Sequence, residues 1–452
     1  MAFISDSKIP RNLPIKQYNR IEIIDSLRGL AVLGILLINI TRFSLPKDEL
    51  ETIGFLEDRG INFYLWYIFG HGVFEGSFRA IFSMLFGASF LIYTERIEKK
   101  SGSIISSSEY FVRRQLWLLF FGLINAFLLL WSGDILYFYA IGGVVLIGFR
   151  GASVRNLILA SIVTLFFLTI RENKDFFAQK RIIIEGEKVA QIDTSVVKLN
   201  WKQLASINEM NAFKHKYSSE EKKTNLVNQI NKFRSGYKTI YDYVSDKSVS
   251  AQTYGLYYFH FFDVLIFMFL GMAFFKSGII QGENSTKIYF WITIIGLIFG
   301  LFLSWYFLQP IIKYEFNNYE VIKNKTFEFY ELQRFIRSVG IFGMIMLLYK
   351  TGWLKLFFYL MKPVGRMAFT NYISQSVICA LLFYGFGLGL YGKFERYQLF
   401  LFSIIICIFQ IIWSKLWLKY FYFGPLEWLW RSLTYWEIQP LLKSRLIWNE
   451  TD

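Results

Sequence analysis

The sequence predicts an all-α fold: a polytopic transmembrane helix bundle of about ten spans with one long extracytoplasmic loop. Three observations predict it. Of 452 residues, 54% are hydrophobic and only 18% are charged, a balance that soluble domains rarely show. The apolar residues come in blocks of roughly 15–25 almost free of charge, the length that crosses a hydrocarbon core about 30 Å thick. The polar residues collect instead in one insertion, residues 172–253. A disordered chain, a soluble globule and a small secreted scaffold are thereby excluded. Cys379 and Cys407 both sit in apolar blocks and read as small buried hydrophobes, with no metal-ligand spacing around them.

The spans are expected near 24–44, 62–93, 115–132, 135–149, 154–171, 254–275, 288–309, 334–349, 365–390 and 397–415. The second is too long for one straight helix. It reads as a shallow aromatic segment, Ile61–Gly70, joined to a crossing helix, Ser77–Tyr93. Lys and Arg in short loops set the orientation. With the N-terminus in the cytoplasm, Lys8, Arg11, Arg96, Arg113, Arg150, Lys276, Lys350 and Arg366 all fall inside, and both termini are cytoplasmic. The chain divides into a five-span block (1–171), an extracytoplasmic polar loop or small helical subdomain (172–253) and a second five-span block (254–452). The net charge of +15 then reflects basic loops against anionic lipid, and nucleic acid is not an expected partner.

Ionisable groups in hydrocarbon are expensive and usually face a cavity or a partner. On the first span Asp25, Arg28 and Asn39 share one helical face. Next come His71, Glu75 and Arg79 at four-residue steps, with Gly70, Gly72 and Gly76 marking a broken or re-entrant entry. An imidazole beside a carboxylate is the least equipment for general base work near neutral pH, although an interfacial His also serves structure. Asn125 should face the bundle interior, and Ser132 or Asp134 should cap the fourth span. His260 and Asp263 form an i, i+3 pair, a relay or a satisfied hydrogen-bonded couple. His215 lies in the polar loop. The ninth span carries Arg366, Thr370, Asn371, Ser374 and Gln375 along one face, and the last segment is aromatic and cationic around Arg431.

Several of these segments resemble the YeiB-like family of bacterial inner-membrane proteins, named for a domain of unknown function (number 418). The residues that carry the resemblance are Asp25-Ser-Leu-Arg28-Gly29, Phe78-Arg79-Ala-Ile-Phe-Ser83-Met-Leu-Phe86-Gly87, Gly133-Asp134-Ile-Leu136, Gly365-Arg366-Met-Ala-Phe-Thr370-Asn371-Tyr372 and Gly424-Pro425-Leu-Glu427-Trp428-Leu-Trp430-Arg431-Ser-Leu-Thr434-Tyr435. The resemblance covers nearly all of the chain outside the polar loop. The opening motif is similar to that of a wider group of transmembrane acyltransferases, which move acyl groups from cytoplasmic acyl-CoA to an acceptor on the far side. One branch places Arg and His at the spacing of Arg28 and Asn39. The lysosomal heparan-glucosaminide acetyltransferase branch has Asn there, with its histidine just ahead of the next span, where His71 stands. YeiB-like sequences commonly carry His near the third span, where this chain has Asn125.

The resemblance therefore implies an acyltransferase in a bacterial plasma membrane, with acyl-CoA as donor and no metal. Arg28, Arg113, Arg114 and Arg366 would hold the donor. Arg79, Asn125, Asp134, Asn371, Gln375 and Arg431 would also line the substrate path, and Asn39, His71 and Glu75 would meet the acceptor. Membrane lipids and a small-molecule or glycan acceptor are the expected partners, with a homo-oligomer admitted. The rival reading is a transporter or lipid-handling protein without chemistry, its polar stripe a conduit.

Overall fold

The structure is a computed structural model that describes residues 21–46 and 60–443. Eight of its helical segments are long and apolar enough to cross a membrane, and two shorter apolar helices, Leu136–Phe149 and Ala368–Phe383, complete ten. The described residues form no sheet, only an isolated bridge between Phe421 and Leu442. This is an all-α membrane protein.

The N-terminal half contains α1 (Glu22–Ser44), α2 (Ile61–Leu65, prolonged by a widened π segment Trp66–Gly72), α3 (Ser77–Ser101), α4 (Ile104–Leu123, ending in a π segment Ile124–Leu128) and α5 (Leu136–Leu146). Acidic Glu22 and Asp25 in the first turn of α1 and Arg42 in its last complement the helix dipole. The break expected after Gly70 is present, because α2 and α3 are separated by a turn at Val73–Gly76. Helix α6 (Val154–Ala190) departs from expectation by running on for 37 residues, about 55 Å at 1.5 Å per residue, well beyond a bilayer core. Its polar half continues into α7 (Trp201–Lys216), α8 (Ser219–Phe233) and α9 (Tyr237–Ser250), so the insertion is helical. Side chains start two of these helices: Asn200 and Gln203 form a capping box on α7, and Ser218 caps α8.

The second half contains α10 (Phe261–Lys276), which follows a π segment Ala251–His260, then α11 (Thr286–Lys313), α12 (Asn318–Asn324), α13 (Tyr330–Thr351), α14 (Lys355–Arg366), α15 (Ala368–Phe383), α16 (Arg396–Tyr420) and α17 (Pro425–Tyr435). The ninth span is shorter than expected. It is broken at Met367, and α14 before it is a separate amphipathic helix lying across α1. Small residues let the helices meet. A Cβ at Gly296 of α11 would lie 2.4 Å from Gly340 Cα of α13, and one at Gly365 would lie 1.7 Å from Asp25 O of α1. Only glycine permits such approach.

Successive spans alternate, so their ends gather in two groups. At one end Lys362 pairs with Glu22, Arg150 with Glu98, and Lys276 donates to Arg150 O at 2.8 Å. We call this the basic end. At the far end Gly392 N donates to Ser44 O at 2.7 Å, and Arg234 Nε to Tyr391 O at 2.8 Å, tying α8 to the bundle. Lys8 and Arg11, counted toward the orientation, lie outside the described residues.

Candidate functional site

A cavity of about 370 Å³ enters the bundle from the basic end between α1, α3, α4, α5, α15 and α17. Arg28, Arg96, Arg114, Arg366 and Arg431 surround its mouth. Neighbouring rings and oxygens orient them. Arg28 Nη1 lies 3.1 Å from Asp25 Oδ1, and its other amino group donates to Ser89 Oγ. Arg114 stacks on Trp430 with its guanidinium carbon 3.5 Å from the ring centre, while Trp430 Nε1 donates to Arg114 O at 2.9 Å. Arg431 lies over Phe423 and Tyr435. The C-terminal aromatic helix α17 is thus a wall of the cavity as well as an interfacial segment.

Inward of the arginines the walls turn apolar, with Phe82, Phe86, Phe90, Phe111, Leu118 and Phe369. The deep end is polar again. Tyr139 Oη is 2.7 Å from Ser83 Oγ and donates to Arg79 O at 3.2 Å. Tyr372 Oη accepts from Ile135 N at 3.2 Å and donates to Asp134 Oδ1 at 3.5 Å. Asp134 in turn accepts from Asn125 Nδ2 at 2.8 Å and from Tyr137 N at 3.0 Å, the cap expected for the fourth span. Glu427 sits at the start of α15 and accepts from Phe369 N at 2.8 Å, Thr370 N at 3.0 Å and Thr370 Oγ1 at 2.5 Å. Burial nevertheless pushes its carboxyl above the ordinary value.

A second polar group occupies the far end. Arg337 is fully buried on α13 and donates to His71 O and Gly72 O, both at 2.9 Å, to Glu75 O at 2.5 Å and to Ser304 Oγ at 2.8 Å. One side chain therefore satisfies the backbone carbonyls left open where the helix breaks. Gly76 closes that turn at φ +72°, with Arg334 Cδ 2.5 Å from where a Cβ would stand. Glu75 accepts from Tyr330 Oη at 2.5 Å and lies 3.8 Å from Arg42. Arg334 joins Asp263 to Glu331, its Nη2 lying 2.6 Å from Glu331, and Arg79 reaches Asp263 at 3.2 Å. The His71 ring meets Trp66 edge-on at 5.2 Å, and the His260 ring stacks on Phe138 at 4.2 Å. Arg42 is a charged neighbour of both imidazoles.

The family model described as "Protein of unknown function (DUF418)" matches residues 274–437. Over its length the chain is 30% identical to "Uncharacterized protein YxaH" of Bacillus subtilis (strain 168), covering 95% of this chain and 98% of that one. This chain belongs to the YeiB-like DUF418 family. It is also 27% identical to "Uncharacterized protein YeiB" of Escherichia coli (strain K12), over 91% and 95% of the two chains. A Bacillus acidopullulyticus protein, "Uncharacterized 39.9 kDa protein in amylase 3'region", is 25% identical over 96% and 99%. No solved structure matches.

The segments that carry the family resemblance converge on the basic-end cavity. Arg28, Arg366, Tyr372, Glu427, Trp430 and Arg431 line it, and Ser83 and Asp134 hold its deep end. Arg114 lines it too. Arg113 does not, since it turns to Glu109 at 3.3 Å and stacks near Trp436. Asn371 and Gln375 are likewise displaced from the expected substrate path. Asn371 Nδ2 donates to Ser414 Oγ at 2.9 Å and Gln375 Nε2 to Gln410 Oε1 at 2.9 Å, so the polar face of α15 pairs with α16. Amides in apolar surroundings find one another across helices. Asn125 stands behind the floor, and Arg79 is engaged by Asp263. His71 and Glu75 are brought together at the far end, with Asn39 half-buried on α1 one turn from Arg42. His260, which the sequence places on a separate span, joins the same region. Arg334 and Arg337 were missed, although Glu331, Arg334 and Arg337 recur at three-residue steps into an apolar run, the signal used for α1. Among the described residues no group of three His, Cys, Asp or Glu is placed to hold a metal ion.

Proposed function

We propose that this DUF418 protein is an acyltransferase of a bacterial plasma membrane. Its basic end and both termini face the cytoplasm, and its helical insertion lies outside. The donor is acyl-CoA and the acceptor an extracytoplasmic hydroxyl or amine. One observation carries this reading: the cavity joins a mouth of five arginines to an apolar shaft and a hydrogen-bonding floor. Guanidinium groups bind phosphate through charge-assisted, forked contacts. The shaft suits the pantetheine arm of the donor, which would carry the thioester toward the floor. At the far end His71 or His260 would take the proton from the acceptor as its oxygen or nitrogen attacks the thioester carbonyl. The carbon–sulfur bond then breaks, and the thiolate of coenzyme A takes up a proton. Asn39 and Glu75 would orient acceptor and base.

Two measurements test it. Compartment reporters fused at Lys223 and after Asp452 should give opposite answers; the same answer for both overturns the orientation. Purified protein in proteoliposomes should release coenzyme A thiol from acyl-CoA when cell-envelope acceptors are supplied, and either His71→Ala or His260→Ala should abolish that release. Release that never exceeds the empty-vesicle control, with lipid found in the cavity, favours the lipid-handling alternative.

A further inference from the structure

Gln115 has an amide without a partner. It lines the basic-end cavity and is 1% exposed. Among the described residues neither its Oε1 nor its Nε2 has a hydrogen-bond partner. A buried amide left unbonded costs free energy, and a primary amide offers both a donor and an acceptor. The packing reserves its place: a Cβ at Gly143 on α5 would lie 2.9 Å from Gln115 Oε1. Gly143 stands four residues past Tyr139, so the amide lies about 6 Å from the floor, on the side of the mouth.

We propose that Gln115 reads a secondary amide in the arm of the donor, and so sets specificity for a phosphate-bearing amide thioester over a lipid. The inference rests on the acyl-CoA reading above and deepens it. A ligand bound from mouth to floor presents phosphate to the arginines and its reactive carbonyl to Tyr139 and Tyr372. Between the two, it must present an N–H and a C=O to Gln115. The pantetheine arm of coenzyme A carries secondary amides between its phosphates and its sulfur. An alkyl phosphate carries neither donor nor acceptor there and would leave Gln115 unbonded, and a phospholipid, whose ester carbonyls only accept, would leave its Oε1 unbonded.

The test compares coenzyme A with dodecyl phosphate as ligands of the purified full-length protein, by titration calorimetry. Gln115→Leu keeps the volume and removes the amide. It should weaken coenzyme A binding roughly ten-fold, the equivalent of two neutral hydrogen bonds, and leave dodecyl phosphate binding unchanged. Its melting temperature should not fall, because an unbonded polar group has been removed. Should Gln115→Leu fail to fold, Gln115→Asn withdraws the amide by one methylene and is read the same way. Unchanged coenzyme A affinity in a folded variant overturns the role of Gln115, and equal losses for both ligands also overturn it. A wild-type protein that binds dodecyl phosphate but not coenzyme A overturns the acyl-CoA reading itself.

Discussion

The two ends of the bundle use arginine in opposite ways. At the far end Arg334 and Arg337 are fully buried and spend most of their donors on Asp263, Glu331, backbone carbonyls and Ser304. At the basic end Arg114 and Arg431 lie against aromatic rings and present their edges to a cavity. Charge closed upon itself holds helices in register, whereas charge laid on an aromatic wall beside a cavity is placed for an anionic ligand. The difference teaches that a count of charges in spans does not locate a site. Their partners do.

The largest expected effect follows directly. Arg334→Ala leaves Asp263 and Glu331 buried without their shared partner and should cost about 3–5 kcal/mol of stability. Arg431→Ala loses its stacking on Phe423 and Tyr435 and a 3.4 Å hydrogen bond to Gln439 but leaves no buried carboxylate behind, and should cost less, about 0.5–2 kcal/mol. Thermal melts in detergent decide: equal losses for the two variants would erase the distinction between the ends.

That contrast also separates what was legible in the sequence from what was not. The ten spans and the break after Gly70 could be read because apolar runs and glycine are local signals. The capping role of Asp134 was legible for the same reason. The insertion could be read as a polar loop or a small helical subdomain but not decided between them, since α6 must continue past the bilayer for 172–253 to be organised, and no local signal ends or continues it. Asn371 and Gln375 were assigned to the correct face of α15, but whether that face meets a cavity or α16 depends on Ser414 and Gln410, more than thirty residues away. The cavity mouth unites α1, α3, α4, α14 and α17, and no spacing rule connects Arg28 to Trp430.

The next effect bears on the far end. If it contributes chemistry as well as structure, one of its two imidazoles takes the acceptor proton. His71→Ala and His260→Ala, assayed side by side, should differ, with the variant that lacks the base losing about 10²–10⁴-fold in transfer rate. Binding of coenzyme A, measured separately, should hold in both, because neither ring lines the basic-end cavity. Full activity in both variants would leave the far end purely architectural.

A smaller change concerns the cavity mouth. Arg28→Lys keeps the charge and loses the planar fork. Coenzyme A affinity should fall roughly ten-fold, as for one lost charge-assisted bond, and the salt dependence of binding should remain. A folded Arg28→Lys protein with wild-type affinity removes Arg28 from the donor site.

The smallest effect is a pH dependence at Glu427, where the two uses of charge meet in one residue. Its carboxyl is closed upon Phe369 N, Thr370 N and Thr370 Oγ1, yet it also lines the cavity. Burial raises its pKa above the ordinary 4.5, outweighing those donors. The folded protein therefore binds this proton more tightly than the unfolded chain does. The resulting stability is fully present below pH 4.5 and is lost as pH rises through the raised value. Glu427→Gln cannot titrate, so the melting temperature of wild type minus that of the variant should be highest in acid and should decline upward from pH 4.5. A difference that instead grows with pH would mean that the three donors and the α15 dipole hold Glu427 as a carboxylate. Glu427 would then belong with the closed, structural charges of the far end.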